Sequence, residues 1–216
     1  MSTLYRPVGL AELALMYDAQ MRAFPPRLSE QPIFYPVLIR EYAIRIARDW
    51  NAPSKDCGLS GFVTQFDVDS QYIEQFPVQT VGSRILQELW VPAERLEEFN
   101  SKILESIRIT DAFFDDSYTG FIPTHCGLAH KTATDQLVAL TGVFSYSGMD
   151  FICETAANHK AVYLNFPFWA LRDFTSHGVL PEQRDRVLGV IRHLWKTRFP
   201  QIPLYAVVPI RSAESG

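Results

Sequence analysis

The sequence predicts an α+β fold, and three observations carry that reading. Short extended or alternating runs recur at 3–8, 61–68 and 86–91, while residues 39–50 and 181–199 place apolar side chains at helical spacing. With 47% hydrophobic residues, including 15 Phe, 9 Tyr and 4 Trp, the 216-residue chain has enough apolar surface for a substantial core.

The elements follow in order. Residues 3–8 read as a strand, and a helix follows with Leu10, Leu13, Ala14 and Tyr17 on one face. Phe24, Pro25, Pro26 and Arg27, then Gln31 and Pro32, form an ordered loop that cannot be helical. Residues 33–37 read as extended. The helix at 39–50 carries Ile39, Tyr42, Ala43, Ile46, Ala47 and Trp50 at helical spacing, and Asn51, Pro53 and Gly58 end it. Residues 61–68 alternate as a half-buried strand, with Phe62, Thr64, Phe66 and Val68 opposite Val63, Gln65 and Asp67. Further strands are expected near 77–81, 86–91 and 103–109. Between the last two, Pro92 opens a helix ending near Asn100, with Glu94, Glu97 and Glu98 on its exposed face.

Residues 113–120 read as a packed junction that divides a first domain, 1–112, from an α/β half, 113–216, whose role the sequence does not give. In that second half the pattern predicts a helix at 132–141, strands near 151–155 and 160–165, and a turn or helix through Phe166–Phe174. The helix at 181–199 starts with Pro181 and carries Val187, Leu188, Ile191, Leu194 and Trp195 on one stripe, and a last strand is expected at 204–209.

Composition narrows the functional classes. A formal charge of −4 argues against non-specific nucleic-acid binding, which needs concentrated Lys and Arg. No apolar run is long enough for a membrane helix and the N-terminus has no signal-peptide pattern, so the cytoplasm is the expected compartment. Cys57, Cys126 and Cys153 are widely spaced and give no disulfide framework or zinc motif; His125, Cys126 and His130 lack the ordered pairs that a zinc site shows. GxGxxG, P-loop, GxSxG and HExxH motifs are all missing.

Two charged residues on separate strands remain, Arg6 and Glu88. An arginine fork grips phosphate or a ribose bidentately, and a carboxylate stabilises a developing sugar cation. Together they suit cleavage of NAD at its nicotinamide bond. Both also have plain structural readings: Arg6 as the ion-pair partner of Glu12, and Glu88 as an edge-strand charge that opposes aggregation.

The running order LYRPVG, FPPR, IFYPVL, a helix ending in DWN, GFVTQFDV and QELWVPAERLEEFN, over residues 3–110, resembles the bacterial ADP-ribosylation/crystallin J1 family and its ADP-ribosyltransferase-like mixed or antiparallel β core. The resemblance implies that Arg6, with Tyr5 beside it, holds NAD; that Phe34, Tyr35 and Tyr42 sandwich the nicotinamide; and that Glu88 is the catalytic glutamate. Leu86 stands where arginine-modifying members carry Glu or Gln, which argues against a protein arginine as acceptor. The expected function is ADP-ribosyl transfer from NAD, as substrate, to an unidentified acceptor or partner macromolecule. A catalytically inactive binding or immunity-type module and an NAD glycohydrolase are the alternatives, and no membrane partner is expected.

Overall fold

The chain begins with strand β1 (Ser2–Val8), in which every second residue, Leu4, Arg6 and Val8, is buried. Helix α1 (Leu10–Asp18) follows after Gly9 and turns Leu13, Met16 and Tyr17 inward. The structure is a computed structural model that describes residues 1–28, 30–80 and 86–206. After the proline-rich loop come strand β2 (Ile33–Phe34), helix α2 (Arg40–Ile46) and a π-helical turn at Ala47–Asn51. Strand β3 (Ser60–Val68) leads to the short helix α3 (Ser70–Ile73), capped where Asp69 accepts the Gln71 N–H at 2.9 Å. Strands β4 (Val78–Thr80), β5 (Gln87–Leu89) and β6 (Val91–Pro92), helix α4 (Leu96–Ser101) and strand β7 (Arg108–Phe114) complete the β-containing part. Helices α5 (Ala133–Tyr146), α6 (Gly148–Ala157), α7 (His159–Leu171) and α8 (Pro181–Arg198) follow.

The main sheet is antiparallel in the order β1-β3-β7, and small two-stranded pairings join β2 to β6 and β4 to β5. Val37 links these units. It bridges Tyr5 on one side and Glu88 on the other, with Tyr5 N–H donating to Val37 O at 2.9 Å and Val37 N–H to Tyr5 O at 2.8 Å. This is an α+β arrangement.

Central position changes the burial expected of β3. Phe62, Thr64, Phe66 and Val68 face the main core, but Val63 and Asp67 on the opposite side are buried too, so this strand is covered on both faces rather than half-exposed. The cover over Val63 comes from α2 and the π turn, packed with Val37, Tyr42, Ala43 and Ala47. Gly61 permits that approach: a Cβ placed there would lie 1.9 Å from the carbonyl oxygen of Ala47. The π turn also ends the expected helical face early. Its wider turn advances fewer degrees per residue, and Trp50, expected inward, projects into solvent.

Three further expectations change. The strand expected at 103–109 begins instead at Arg108 and runs through Phe114; Ile103 makes only an isolated bridge to Val68. The boundary expected at 112/113 therefore falls inside β7, where Gly61 and Phe113 are paired. The strands expected at 151–155 and 160–165 are helices α6 and α7, and residues 115–206 contain no strand, so this half is helical where an α/β half was expected. A continuous apolar run reads alike as a buried strand or a buried helix, because neither shows periodicity. Of the last expected strand, residues 204–206 are irregular and 207–209 lie outside the described residues.

Helix α7 carries the packing across the chain. Ala161 to Trp169 are all buried, including Asn165. Tyr163 meets Tyr17 of α1 with ring centroids 4.8 Å apart and stacks on Trp195 of α8 at 5.8 Å, while Phe168 packs on Phe114 of β7 at 5.2 Å. The Asn165 amide is satisfied on both sides: Oδ1 accepts the Phe121 N–H at 2.8 Å, and Nδ2 donates to Phe121 O and Gln136 Oε1, each at 2.9 Å. Gly120, at φ +82°, passes so close that a Cβ would sit 2.6 Å from Asn165 Oδ1.

Replacing Gly61 with Ala tests the close approach of the π turn. The added methyl meets backbone, which cannot rotate away, so Gly61→Ala is expected to lower stability by about 2–3 kcal/mol. A melting curve that matches the unsubstituted protein would show that this contact does not constrain the fold.

Candidate functional site

Arg6 lies on the face of β1 that looks into the main core. Its strand position is fixed by pairing with Thr64 of β3, whose hydroxyl donates to Arg6 O at 2.8 Å. The guanidinium is held bidentately by Glu12 of α1, with Nε to Oε1 at 2.9 Å and Nη2 to Oε2 at 3.3 Å. Nη1 donates to Tyr35 O at 3.2 Å, and the group lies over the Phe34 ring, 4.8 Å from its centroid. This buried cation is therefore paired, hydrogen-bonded and stacked within the chain.

Glu88 occupies the other face. The paired residues Tyr5, Val37 and Glu88 direct their side chains the same way, and Arg6, the neighbour of Tyr5, points the opposite way. Tyr42 OH donates to Glu88 Oε1 at 2.8 Å, and Trp90 Nε1 donates to Oε2 at 3.3 Å. Trp90 in turn meets the Tyr35 ring edge-on at 5.7 Å. Burial, reinforced by the bond to Glu88, pushes the Tyr42 hydroxyl up to about 12.

Of the residues proposed from sequence, the structure thus brings together Glu88, Tyr42 and, through Trp90, Tyr35; Tyr5 shares their face. Arg6 and Phe34 form a separate group on the far side of the sheet. Trp90 is a partner that sequence reasoning missed, although its spacing of two from Glu88 along an extended segment was the available signal. Arg27 was missed as a site residue. Its Nη1 lies 3.7 Å from the Glu12 oxygen that Arg6 already engages.

Among the cavities that open between described residues, four of about 230 to 420 Å³ are lined by neither Arg6 nor Glu88. Among the described residues no group of three or more His, Cys, Asp or Glu side chains is placed to hold a metal ion, and no helix is long and apolar enough to cross a membrane. The chain matches no family model, no curated protein and no solved structure.

Removing Glu12 separates an architectural Arg6 from a ligand-binding one. Glu12→Gln leaves a buried guanidinium without its countercharge, an expected loss of about 3 kcal/mol, and adding Arg6→Met to that variant should recover part of the loss. If the two substitutions cost the same separately and additively, the pair does not hold the fold.

Tyr42 gives a pH test with a definite sign. Its ionisation is raised in the folded state above the ordinary value near 10, so the stability it confers is complete below pH 10 and is lost as pH climbs from 10 toward 12. In Glu88→Gln the acceptor charge is gone, and ultraviolet titration should find the Tyr42 ionisation shifted back toward 10. An unchanged titration curve would exclude this hydrogen bond as a cause.

Proposed function

We propose that this chain acts by binding a partner or ligand and not by cleaving NAD. One observation carries the reading: Arg6 and Glu88 lie on opposite faces of one sheet, each engaged by partners from its own side. Nicotinamide cleavage needs the phosphate-gripping cation and the carboxylate to reach one bound molecule, because only interactions made together at the transition state accelerate the step. Here a layer of backbone stands between them. The acidic net charge is compatible with a protein partner and unfavourable for a nucleic-acid one.

A second reading rests on the Glu88 face. A half-buried carboxylate beside Tyr42, Trp90 and Tyr35 has the acid and the aromatic rings needed to receive a nicotinamide riboside without Arg6. It would make the chain an ADP-ribosyltransferase or an NAD glycohydrolase with phosphate recognition supplied elsewhere.

Incubation with NAD decides between the two. The binding reading expects no nicotinamide above the uncatalysed background, with or without cell extract as a source of acceptor. Release that falls by about two orders of magnitude or more in Glu88→Gln, at unchanged melting temperature, would overturn it. Label appearing on a macromolecule would then indicate transfer, and free ADP-ribose would indicate hydrolysis.

A further inference from the structure

The widest of the cavities described, about 420 Å³, lies between the proline-rich loop and α4. Phe24 and Leu96 supply buried apolar walls, Pro26 and Ala93 complete the sides, and Arg27 lines the cavity. Arg27 is the unusual member. Its side chain is only 13% exposed, and its Nε is buried with no hydrogen-bond partner. Among the described residues its side chain hydrogen-bonds the neutral amide oxygen of Gln31. The nearest carboxylate, Glu12, is taken bidentately by Arg6 at 2.9 and 3.3 Å and stands 3.7 Å from Arg27. Two guanidinium groups thus share one carboxylate beside an open cavity.

A buried cation with an empty donor and an incomplete countercharge is costly unless an anion completes it. Burial and the proximity of Arg6 both press Arg27 toward its neutral form, as an anion at the cavity would oppose. Asn100 at the walls accepts from Phe24 N–H at 2.9 Å and donates one amide N–H to Phe24 O at 3.0 Å. Arg27 is the one cationic group among the described residues that line this cavity, and the second N–H of Asn100 stands beside it as a neutral donor. Glu94 and Glu97 are exposed at the rim. Their charges disfavour a polyanion such as a diphosphate and favour a ligand that carries a positive group away from its anionic end.

We infer that this cavity binds a small monocarboxylate with an apolar or aromatic body, its carboxylate on Arg27, its body against Phe24 and Leu96, and a cationic substituent, where present, toward Glu94 and Glu97. A planar guanidinium matches a carboxylate closely, and the volume accommodates a ring with a short chain. The inference rests on the binding reading above and supplies that reading with a ligand class. It places the recognition site away from both Arg6 and Glu88.

The test is calorimetric titration of the full chain with four probes: 3-phenylpropionate, phenylalanine, phenethylamine and pyrophosphate. The first two are expected to bind saturably, and phenethylamine and pyrophosphate to bind at least about tenfold more weakly. Arg27→Gln should weaken both carboxylates about tenfold or more. Glu97→Gln should strengthen 3-phenylpropionate relative to phenylalanine, since it removes a repulsion for one and an attraction for the other. Ala93→Trp fills the cavity while leaving Arg27 and the backbone bond of Ala93 in place, and should abolish binding at an unchanged melting temperature; it covers the case in which Arg27→Gln fails to fold. Absence of saturable binding by either carboxylate up to about 10 mM, or binding indifferent to Ala93→Trp, overturns the proposal. Nicotinamide release measured on the same samples keeps the two readings apart: release with Arg27-dependent carboxylate binding intact sinks only the non-catalytic reading, and neither release nor carboxylate binding sinks only this one.

Discussion

Helix α7 has nine consecutive buried residues, Ala161 to Trp169, and a helix apolar all round must be covered on every side. The cover is drawn from distant parts of the chain: α1 through Tyr17, β7 through Phe114, α5 through Ala133, whose carbonyl accepts Trp169 Nε1–H at 2.7 Å, and α8 through Trp195. Burying Asn165 in this surrounding is tolerable only because all its amide valences are met by Phe121, Tyr118 and Gln136. The network pins the 118–121 loop, and Gly120 lets the backbone pass within reach of the amide. The hydroxyl of Tyr163, by contrast, is buried with no partner, a cost of about 1–3 kcal/mol that the stacking of its ring on Tyr17 and Trp195 must offset.

The same logic explains why Arg6 belongs to the architecture. A charged side chain on an inward-facing strand position requires a countercharge at fixed geometry, and Glu12 in the first turn of α1 supplies it. That pair ties the first strand to the first helix, and the Tyr35 carbonyl ties the same guanidinium to the segment leading to Val37. On the opposite face, Glu88 does comparable work between β5 and α2 through Tyr42. Both charges sit where a ligand-binding role could be read from sequence, since a ligand contact and an internal ion pair demand the same residue types.

Elements whose two faces differ were legible in both halves: β1 alternates, α1 and α8 carry one apolar stripe each, and Pro181 marks where α8 begins. Where both faces are covered the pattern vanishes, and α7 reads as well for a strand as for a helix. The start of α6 was nonetheless visible. Ser147 stands three residues before Asp150 and accepts its N–H at 3.2 Å, as Thr132 does for Asp135 at the start of α5. Such capping pairs favour helix over strand where periodicity is silent. Of the site, the Arg6–Glu12 pair was readable from the sequence, Tyr35 and Tyr42 entered only through the family resemblance, Trp90 was missed, and the face each strand presents was not legible. That depends on Val37 standing between β1 and β5, a long-range register that the local sequence does not encode.

Charge accounting links the fold to the cavity beside α4. Because Glu12 is committed to Arg6 in order to make a buried strand cation tolerable, it is too distant and too occupied to satisfy Arg27 as well. Arg27 follows two prolines that fix the backbone of the loop, and its Nε is buried without a hydrogen-bond partner. The surplus positive charge is thus a consequence of how the first strand is anchored. Two arginines around one carboxylate leave a net positive charge, and a buried charge without its partner is strongly destabilising. Retaining both beside an open, apolar-walled space is reasonable when an external carboxylate supplies the missing countercharge.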